Sequence, residues 1–289
     1  MIPSQGTLKL DKKYRYVLSI KKESSDPETV HIVIPAHNFP EMTDVAVQCI
    51  KKYTEEPYII WIVDDNSNEE TRNYLMNLDK VNVIFNKTGI GSWYYPKWMM
   101  KKRGSEANAI SLNMASKIIT GKYMFVMHSD ALPVRAGWLD FLKSKLNDKI
   151  KIVGVSTDHI RVKAVHVSGF LFDFQLYNEL DLSFSHNMPI YDAGDMITIG
   201  LVGSGYGTFV CKNTSNNPET IDYINNNSHP DFIKAPGIDR IFDDNNNLIY
   251  MHLGRGTAGR KGDDRGKPGY LKRSEWVENV KKYYLQSQI

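Results

Sequence analysis

The sequence has no long apolar segment and very few cysteines. It contains no run of about 18 apolar residues, so we expect no transmembrane helix. Its first residues, MIPSQGTLKLDKKYRY, lack the basic and then apolar layout of a signal peptide. Cys49 and Cys211 lie far apart and form neither a disulfide framework nor a metal-binding spacing, which fits a reducing compartment. We therefore expect a soluble, cytoplasmic protein.

A strong net charge and two common nucleotide-binding motifs are also absent. The formal net charge is only +3, which is too small to indicate nucleic-acid binding by itself. No P-loop occurs, and no G-x-G-x-x-G follows the first predicted strand. The sequence therefore gives no support for P-loop nucleotide hydrolysis or for dinucleotide binding.

The first half of the chain alternates between short apolar runs and amphipathic stretches. The apolar runs predict strands at 30–35, 58–63, 81–86, 122–127 and 151–156. Helices are predicted at 41–53, from a Ser67–Glu70 capping box to about Leu78, at about 105–119 and at 137–146. This alternation is typical of an α/β protein with a mostly parallel sheet covered by helices. Ligands bind such sheets at the carboxyl ends of the strands.

The alternation weakens after about residue 160. We predict one or two strands at 165–177, a helix over 192–206 opened by Asp192, and a strand over 247–254. The asparagine-rich stretch 212–247 is predicted as loop, and the glycine-rich stretch 254–273 as a flexible basic loop. A last helix is predicted at 274–286 with Ser274 as its N-cap.

Polar residues follow three of the predicted strands, the first group being His37 and Asn38. The other two groups each have a structural and a functional interpretation. Asp64 and Asp65 are either turn residues or contacts to a base or ribose. His128 and Asp130 are two residues apart on an extended chain, so their side chains point to the same side. Asp130 suits Mg²⁺ or Mn²⁺, which prefer oxygen ligands and also bind phosphates. The alternative is a capping aspartate beside a hydrogen-bonded histidine.

Three further features stay ambiguous at the level of local sequence. His252 ends an apolar run, where a lone histidine is more often structural than a ligand. Asp192 and Asp195 either start a helix, where carboxylates suit the helix dipole, or supply a general base. The basic loop is either solvated or closes over a phosphate with the cations Arg255, Arg260 and Lys261.

Taken in order, these pieces resemble the family 2 inverting glycosyltransferases of the GT-A fold, from about residue 30 to 257. HIVIPAHNFPEMTDVAVQCI resembles the opening strand, nucleotide loop and first helix of that family, and IIWIVDDNSNEET its second strand and aspartate turn. GSEANAISLNMASKIITGKYMFVMHSDALP resembles the segment that ends in the DxD strand. YDAGDMI lies where the acceptor-side carboxylates are expected, and YMHLGRGT resembles the late strand whose histidine completes the metal site.

The resemblance implies roles for these residues. Asp130 and His252 would bind Mn²⁺ or Mg²⁺ at the donor diphosphate, and Asp65 would hydrogen-bond the base, expected to be uracil. Either Asp192 or Asp195 would deprotonate the acceptor hydroxyl, and Asn113 would support the donor site. The remaining donor-site residues would be Pro35, Ala36, His37, Asn38, Asp64, His128, Ser129, Arg255, Arg260 and Lys261.

The resemblance also implies a division of the chain. Residues 1–28 would be an N-terminal extension, and 258–289 the basic loop with a C-terminal helix. The GT-A domain would span 29–257, with a nucleotide-sugar half at 29–157 and an acceptor half at 158–257.

One departure from the family pattern concerns the metal site. His128 stands where the family has the first DxD carboxylate, so the site has one negative charge fewer. The affinity of the metal and its identity are therefore open. Whether His128 is itself a ligand is open as well. A nucleotidyltransferase and a non-catalytic sugar-nucleotide-binding protein remain alternatives. The acceptor is expected to be a glycan or a lipid-linked glycan, reached by peripheral contact with a membrane in the second case. A modified DNA base is a less favoured acceptor.

Overall fold

A computed structural model describes residues 4–88, 100–158, 162–217, 219–226, 229–254 and 270–286. In chain order the strands are β1 Ser4–Lys9, β2 Lys13–Ser19, β3 Val30–Ala36, β4 Tyr58–Asp64, β5 Val81–Asn86, β6 Tyr123–Met127, β7 Ala131–Pro133, β8 Ile150–Gly154, β9 Thr157–Asp158, β10 Ala164–Val165, β11 Gly169–Asp173, β12 Gly207–Val210, β13 Lys212–Asn213, β14 Asp239–Phe242 and β15 Leu248–His252. The helices are α1 Pro40–Tyr53, α2 Glu69–Asn77, α3 Met100–Ile118, α4 Trp138–Ser144, α5 Phe174–Glu179, α6 Asp195–Gly203, α7 Glu219–Asn226 and α8 Arg273–Val280, with a 3₁₀ turn Asp231–Lys234 and a π-helical turn Lys281–Leu285.

The main sheet has nine strands in the order β1-β2-β5-β4-β3-β6-β11-β8-β12. Its centre, β5-β4-β3-β6, is parallel throughout. These strands are almost wholly buried because helices cover them, and this explains why their sequences are continuous apolar runs rather than alternating ones. The predicted strands of this region, with the helices α1 and α4, are confirmed to within a few residues.

A second sheet of four short strands, in the order β13-β14-β15-β7, lies at the carboxyl end of β6. The chain leaves the main sheet at Met127 and enters the second sheet at Ala131, so residues 128–130 form the link between the two. In the second sheet His252 pairs with Ala131, and Asp239 pairs with His252. This register fixes which side chains meet at the link.

An aromatic cluster of Phe125, Trp138 and Tyr250 joins the two sheets below that link. The ring of Trp138 lies 5.1 Å from Phe125 and 5.9 Å from Tyr250, between centroids. All three side chains are fully buried. The Trp138 indole N–H donates to Thr54 Oγ1 at 3.0 Å, and the Tyr250 hydroxyl donates to the Ser168 carbonyl at 2.9 Å. The polar tips of these rings are therefore satisfied inside the core.

The structure corrects several predicted boundaries. The N-cap of α2 is Asn68 and not Ser67, because the Asn68 side chain accepts the Thr71 N–H at 2.8 Å. Helix α6 begins at Asp195 and not at Asp192, because Gly194 before it has a φ of +91°, a left-handed conformation that glycine adopts readily. Helix α8 begins at Arg273 with Lys272 as its N-cap, so Ser274 lies inside the helix.

Two longer stretches of the second half also differ from prediction. The segment predicted as strand at 165–177 turns helical at Phe174, where the Asp173 carboxylate caps α5 by accepting the Leu176 N–H at 3.0 Å. The stretch 212–247, predicted as loop, contains β13, α7, a 3₁₀ turn and β14. Within the described ranges, none of the helices combines the length and the apolar character that a bilayer span requires.

Candidate functional site

Three potential metal-ligating side chains meet at the link between the two sheets. His128, Asp130 and His252 each offer one ligand atom, and these atoms lie within 4.8 Å of one another. The Asp130 Oδ1 lies 3.4 Å from His252 Nε2 and 3.9 Å from His128 Nδ1. Asp130 and His252 are buried, whereas the His128 side chain is 28% exposed. The cluster is therefore open to solvent on the His128 side.

His252 is held between two carboxylates. Its Nδ1 lies 3.0 Å from Asp239 Oδ2, and its Nε2 faces Asp130. Burial by itself would lower the pKa of His252, but Asp130 and Asp239 outweigh it and raise the pKa to about 10. The imidazole is therefore protonated at neutral pH when no other cation is bound, which shows that this position favours positive charge.

His128 differs from its neighbour in charge. Burial lowers the pKa of His128 to about 3, and the positive charge of His252 adds to that effect, while Asp130 opposes it. The ring is therefore neutral at neutral pH. Its Nδ1 lies 3.4 Å from His252 Nε2, and its Nε2 lies 3.3 Å from the side-chain nitrogen of Asn108 on α3.

Three residues of this site were missed at the level of sequence: Asp239, Asn108 and His166. The His166 ring lies 5.8 Å from the His128 ring and 6.1 Å from the His252 ring, between centroids, with its Nδ1 2.8 Å from Ser168 Oγ. His166 follows β10 directly, and no spacing in the sequence relates it to the other histidines. Its position after the short β9–β10 pair becomes visible only in the folded structure.

The predicted nucleotide loop lies at the carboxyl ends of β3 and β4. Asn38 and Phe39 both have left-handed backbone conformations, with φ of 54° and 51°, and the chain turns sharply there before Pro40 opens α1. The Asn38 N–H donates to Ser67 Oγ at 2.8 Å, and His37 Nδ1 lies 2.9 Å from the Asp65 carbonyl. Strained backbone of this kind clusters at ligand-binding sites.

The two aspartates after β4 have different surroundings. Asp64 is fully buried, and its carboxylate accepts the Ser67 N–H at 3.2 and 3.3 Å. Burial raises the pKa of Asp64, and these hydrogen bonds counteract the rise. Asp65 accepts from the Asn86 amide at 3.1 Å, which fixes its carboxylate beside the end of β5. Asp64 therefore braces the turn, while Asp65 is oriented by a neighbouring strand.

The two carboxylates before and within α6 also differ. Asp195 is 2% exposed and accepts the Asp192 N–H at 2.7 Å, so it stabilises the helix start. Asp192 is half-buried and accepts a hydrogen bond from the Ser105 hydroxyl. Its negative charge acts to raise the pKa of His128, so Asp192 lies within electrostatic reach of the candidate metal ligands.

The remaining predicted site residues are spread over three places. Pro35, Ala36 and Ser129 lie at strand ends beside the residues above, with Ala36 and Ser129 buried. Asn113 accepts the Phe184 N–H at 2.9 Å and thereby ties α3 to the segment after α5. Its role at a donor site stays a prediction. Arg255, Arg260 and Lys261 lie outside the described residues.

Comparisons with known proteins give a family and several similar solved structures. The model of the family described as Glycosyl transferase family 2 matches residues 31–188. No curated protein matches the sequence. One similar solved structure is the mannosyltransferase PcManGT from Pyrobaculum calidifontis in complex with GDP-Man and Mn²⁺, with 17% identity and a TM-score of 0.48 over 63% of this chain and 54% of that one.

Two structures of S. aureus TarS 1-349 are also similar. One has 15% identity and a TM-score of 0.42, over 63% of this chain and 57% of that one. The other, in complex with UDP-GlcNAc, has 13% identity and a TM-score of 0.44, over 63% of this chain and 55% of that one. The aligned part of this chain thus spans little more than half of each of these structures.

The family match covers more than half of the chain, including nearly all of β3, the elements from there to β11, the predicted nucleotide loop and both His128 and Asp130. The predicted α/β architecture of the GT-A class, with its mostly parallel sheet flanked by helices, is confirmed. The chain belongs to glycosyl transferase family 2.

Proposed function

We propose that this protein transfers a sugar from a nucleotide-diphosphate donor to an acceptor hydroxyl, with a divalent cation and with inversion at the anomeric carbon. The observation that supports this most directly is the convergence of His128, Asp130 and His252 at the carboxyl end of β6, a strand of the parallel centre. In open α/β sheets that edge is where ligands bind. The family membership supplies the reaction class.

The donor nucleotide would lie across the turns that follow β3 and β4. Asp65 is the group that we assign to the base, since its carboxylate is held in place by Asn86. A carboxylate accepts the N–H group of uracil, so a uridine nucleotide fits this position. The backbone at Pro35 to Asn38 would line the same pocket, and its hydrogen bond to Ser67 keeps the turn closed.

The residues of the cluster fit a divalent cation. The Asp130 carboxylate is buried and faces the Nε2 of His252, whose other nitrogen is taken by Asp239. Without a bound metal ion, the protonated imidazole of His252 supplies the positive charge that Asp130 and Asp239 favour at this position. A bound cation would act as a Lewis acid that neutralises the charge on the leaving diphosphate.

We assign the general base to Asp192. It is more open than Asp195, and it lies within electrostatic reach of His128. Its carboxylate would take the proton of the acceptor hydroxyl as the acceptor oxygen attacks the anomeric carbon. The bond from that carbon to the diphosphate oxygen would break on the opposite face, which gives inversion. Asp195 would orient Asp192 through its hydrogen bond to the backbone.

The acceptor is expected to be a hydroxyl of a glycan or a lipid-linked glycan. Residues 158–257 would form that side of the site, as the sequence predicts. A panel of glycan and lipid-linked acceptors, assayed with each active donor, tests this assignment.

The Asp130→Ala variant tests the proposal. We expect at least a 1000-fold loss in the release of nucleoside diphosphate from a panel of nucleotide-sugars with Mn²⁺, which corresponds to about 4 kcal/mol of lost transition-state stabilisation. Asp231→Asn is the matched control, since the Asp231 side chain is 98% exposed. Near-ultraviolet circular dichroism checks that both variants fold.

Several outcomes would contradict the proposal. Full turnover in Asp130→Ala, or turnover that is indifferent to EDTA, would remove the cation from the mechanism. Release of pyrophosphate from a nucleoside triphosphate would indicate a nucleotidyltransferase instead. Binding of nucleotide-sugars without any turnover or hydrolysis would indicate a non-catalytic binding protein.

A further inference from the structure

We propose that Asp239 and Asn108 are positioning residues that present two imidazoles to a cation, and that this donor set selects Mn²⁺ or Co²⁺ over Mg²⁺. The inference rests on the proposed function for its placement of a cation at His128, Asp130 and His252. It goes beyond that function by naming the residues that orient the ligands and by stating which ions the site prefers.

Asp239 fixes the orientation of His252. The two residues are direct partners in the β14–β15 register, and the Nδ1–H of His252 donates to Asp239 Oδ2 at 3.0 Å. The second carboxylate oxygen, Oδ1, accepts the hydroxyl of Ser215. Because both oxygens are engaged, the carboxylate cannot rotate freely, and His252 Nε2 is held facing Asp130. A carboxylate on the far nitrogen of a metal-bound histidine both orients the ring and makes it a better ligand.

Asn108 serves the same purpose for His128. Its side-chain nitrogen lies 3.3 Å from His128 Nε2, and an amide that donates to that nitrogen would place the ring proton on Nδ1, which faces His252 Nε2 at 3.4 Å. The amide oxygen Oδ1 is buried and makes no hydrogen bond among the described residues. A buried acceptor without a partner is costly, so this oxygen calls for an explanation.

A half-turn of the Asn108 amide supplies that explanation. Oxygen and nitrogen exchange places in nearly the same volume, after which Oδ1 accepts an Nε2–H from His128. The proton then leaves Nδ1, and the Nδ1 lone pair faces Asp130 and His252 as a ligand. Asn108 is therefore suited to hold His128 in the tautomer that presents the Nδ1 lone pair as a ligand.

When a cation binds, His252 would release its Nε2 proton to solvent, and the resulting donor set would be two imidazoles and one carboxylate. Mg²⁺ is a hard ion that prefers oxygen ligands and gives up its water reluctantly. Imidazole nitrogen binds first-row transition ions better, and affinity rises from Mn²⁺ through Co²⁺ along the series. The replacement of a carboxylate by His128 thus moves the site away from Mg²⁺.

Direct metal titration of the intact protein tests the inference without any sugar donor. Isothermal titration calorimetry with MnCl₂, CoCl₂ and MgCl₂ should give at least a tenfold tighter dissociation constant for Mn²⁺ and Co²⁺ than for Mg²⁺. The visible absorption spectrum of bound Co²⁺ reports nitrogen ligation independently of activity. Equal affinity for Mg²⁺, or no binding of any of the three ions, would overturn the inference.

The positioning roles predict a specific pattern among variants. Asp239→Asn should weaken Mn²⁺ and Co²⁺ binding by about 10- to 100-fold, the usual effect of losing such a partner. Asn108→Leu should weaken binding by about tenfold and shift the Co²⁺ spectrum, while Asn108→Asp should restore it because a carboxylate also accepts the Nε2–H. The control Asp231→Asn should leave both readouts unchanged. Unaltered affinity in Asp239→Asn and Asn108→Leu would refute the positioning roles.

Failure of the proposed function would look different. If Mn²⁺ and Co²⁺ bind with the expected selectivity but no nucleotide-sugar is turned over, the metal inference stands and the transferase proposal fails. If turnover depends on Asp130 but Mg²⁺ binds as tightly as Mn²⁺, the transferase proposal stands and the metal inference fails.

Discussion

The parallel centre of the main sheet and the small second sheet differ in how their strands find their partners. In the centre, β3 pairs with β4 and β4 with β5, which are successive strands separated by single helices, and β6 alone joins out of chain order by pairing with β3. In the second sheet, β7 pairs with β15, and the two histidines brought together by that pairing are 124 residues apart. The first region therefore follows local sequence rules, and the candidate site in the second region does not.

The two regions depend on each other through the aromatic cluster beneath the site. Phe125 belongs to β6 of the main sheet and Tyr250 to β15 of the second, and Trp138 lies against both rings. The difference between the regions teaches that a candidate site formed by distant segments depends on a shared core to hold its register. We first test whether the two sheets depend on this shared core, and then test features that lie within the main sheet and at the start of one helix.

The largest effect is expected from Trp138→Ala. Removing this ring leaves a cavity between the sheets and orphans Thr54 Oγ1, so the free energy of unfolding should fall by about 4 kcal/mol. Guanidinium denaturation measures the change. Ile190→Ala is the control, since Ile190 is 53% exposed and its truncation should change stability by less than about 0.5 kcal/mol. A loss in Trp138→Ala no larger than in the control would show that the sheets do not share this core.

A smaller effect, confined to the main sheet, is expected from acid. His31 on β3 is buried and accepts the Trp61 indole N–H at 3.0 Å, and burial lowers its pKa from 6.5 to about 4. Between pH 6.5 and about 4, His31 is therefore protonated in the unfolded chain but neutral in the folded chain. Stability from the neutral ring is fully present above pH 6.5 and is lost as the pH falls towards 4, by about 3 kcal/mol.

The His31→Gln variant checks the origin of that loss. Its urea midpoint should fall less steeply than that of the wild type between pH 6.5 and 4, because glutamine accepts the same indole N–H without titrating. Parallel slopes in the two proteins would assign the acid sensitivity to other groups.

The smallest effect is expected at the start of α2, where sequence and structure disagree about the cap. Asn68→Ala removes the acceptor for the Thr71 N–H and should cost about 1 kcal/mol of stability. Ser67→Ala keeps that cap but removes the acceptor for the Asn38 N–H, so it should mainly weaken binding of the nucleotide. Denaturation and nucleotide titration of the two variants separate these roles. A larger stability loss in Ser67→Ala than in Asn68→Ala would favour the cap that the sequence predicted.

The predictable part of the candidate site is the part that lies at the ends of apolar strands. Asp65 directly follows β4, and Asp130 lies three residues after the end of β6; polar residues after a buried strand are visible in the sequence. His252 was recognised through a family resemblance rather than through any local signal. Neither kind of signal marked the other three residues, because each reaches the site from a separate segment. Asp239 comes from the β14–β15 pair, Asn108 from helix α3 and His166 from the β9–β10 hairpin.

The sequence by itself determined the α/β class and the positions of the parallel strands along the chain, since both follow from continuous apolar runs. It also determined the family, since the family follows from short motifs whose residues are near neighbours. Only the tertiary structure decided the register of β7, β14 and β15, and with it the meeting of Asp130, His252 and Asp239. The physical reason is that the packing of a common core selects which distant strands pair, and the paired strands alone do not specify it. Here that core consists of the rings of Phe125, Trp138 and Tyr250.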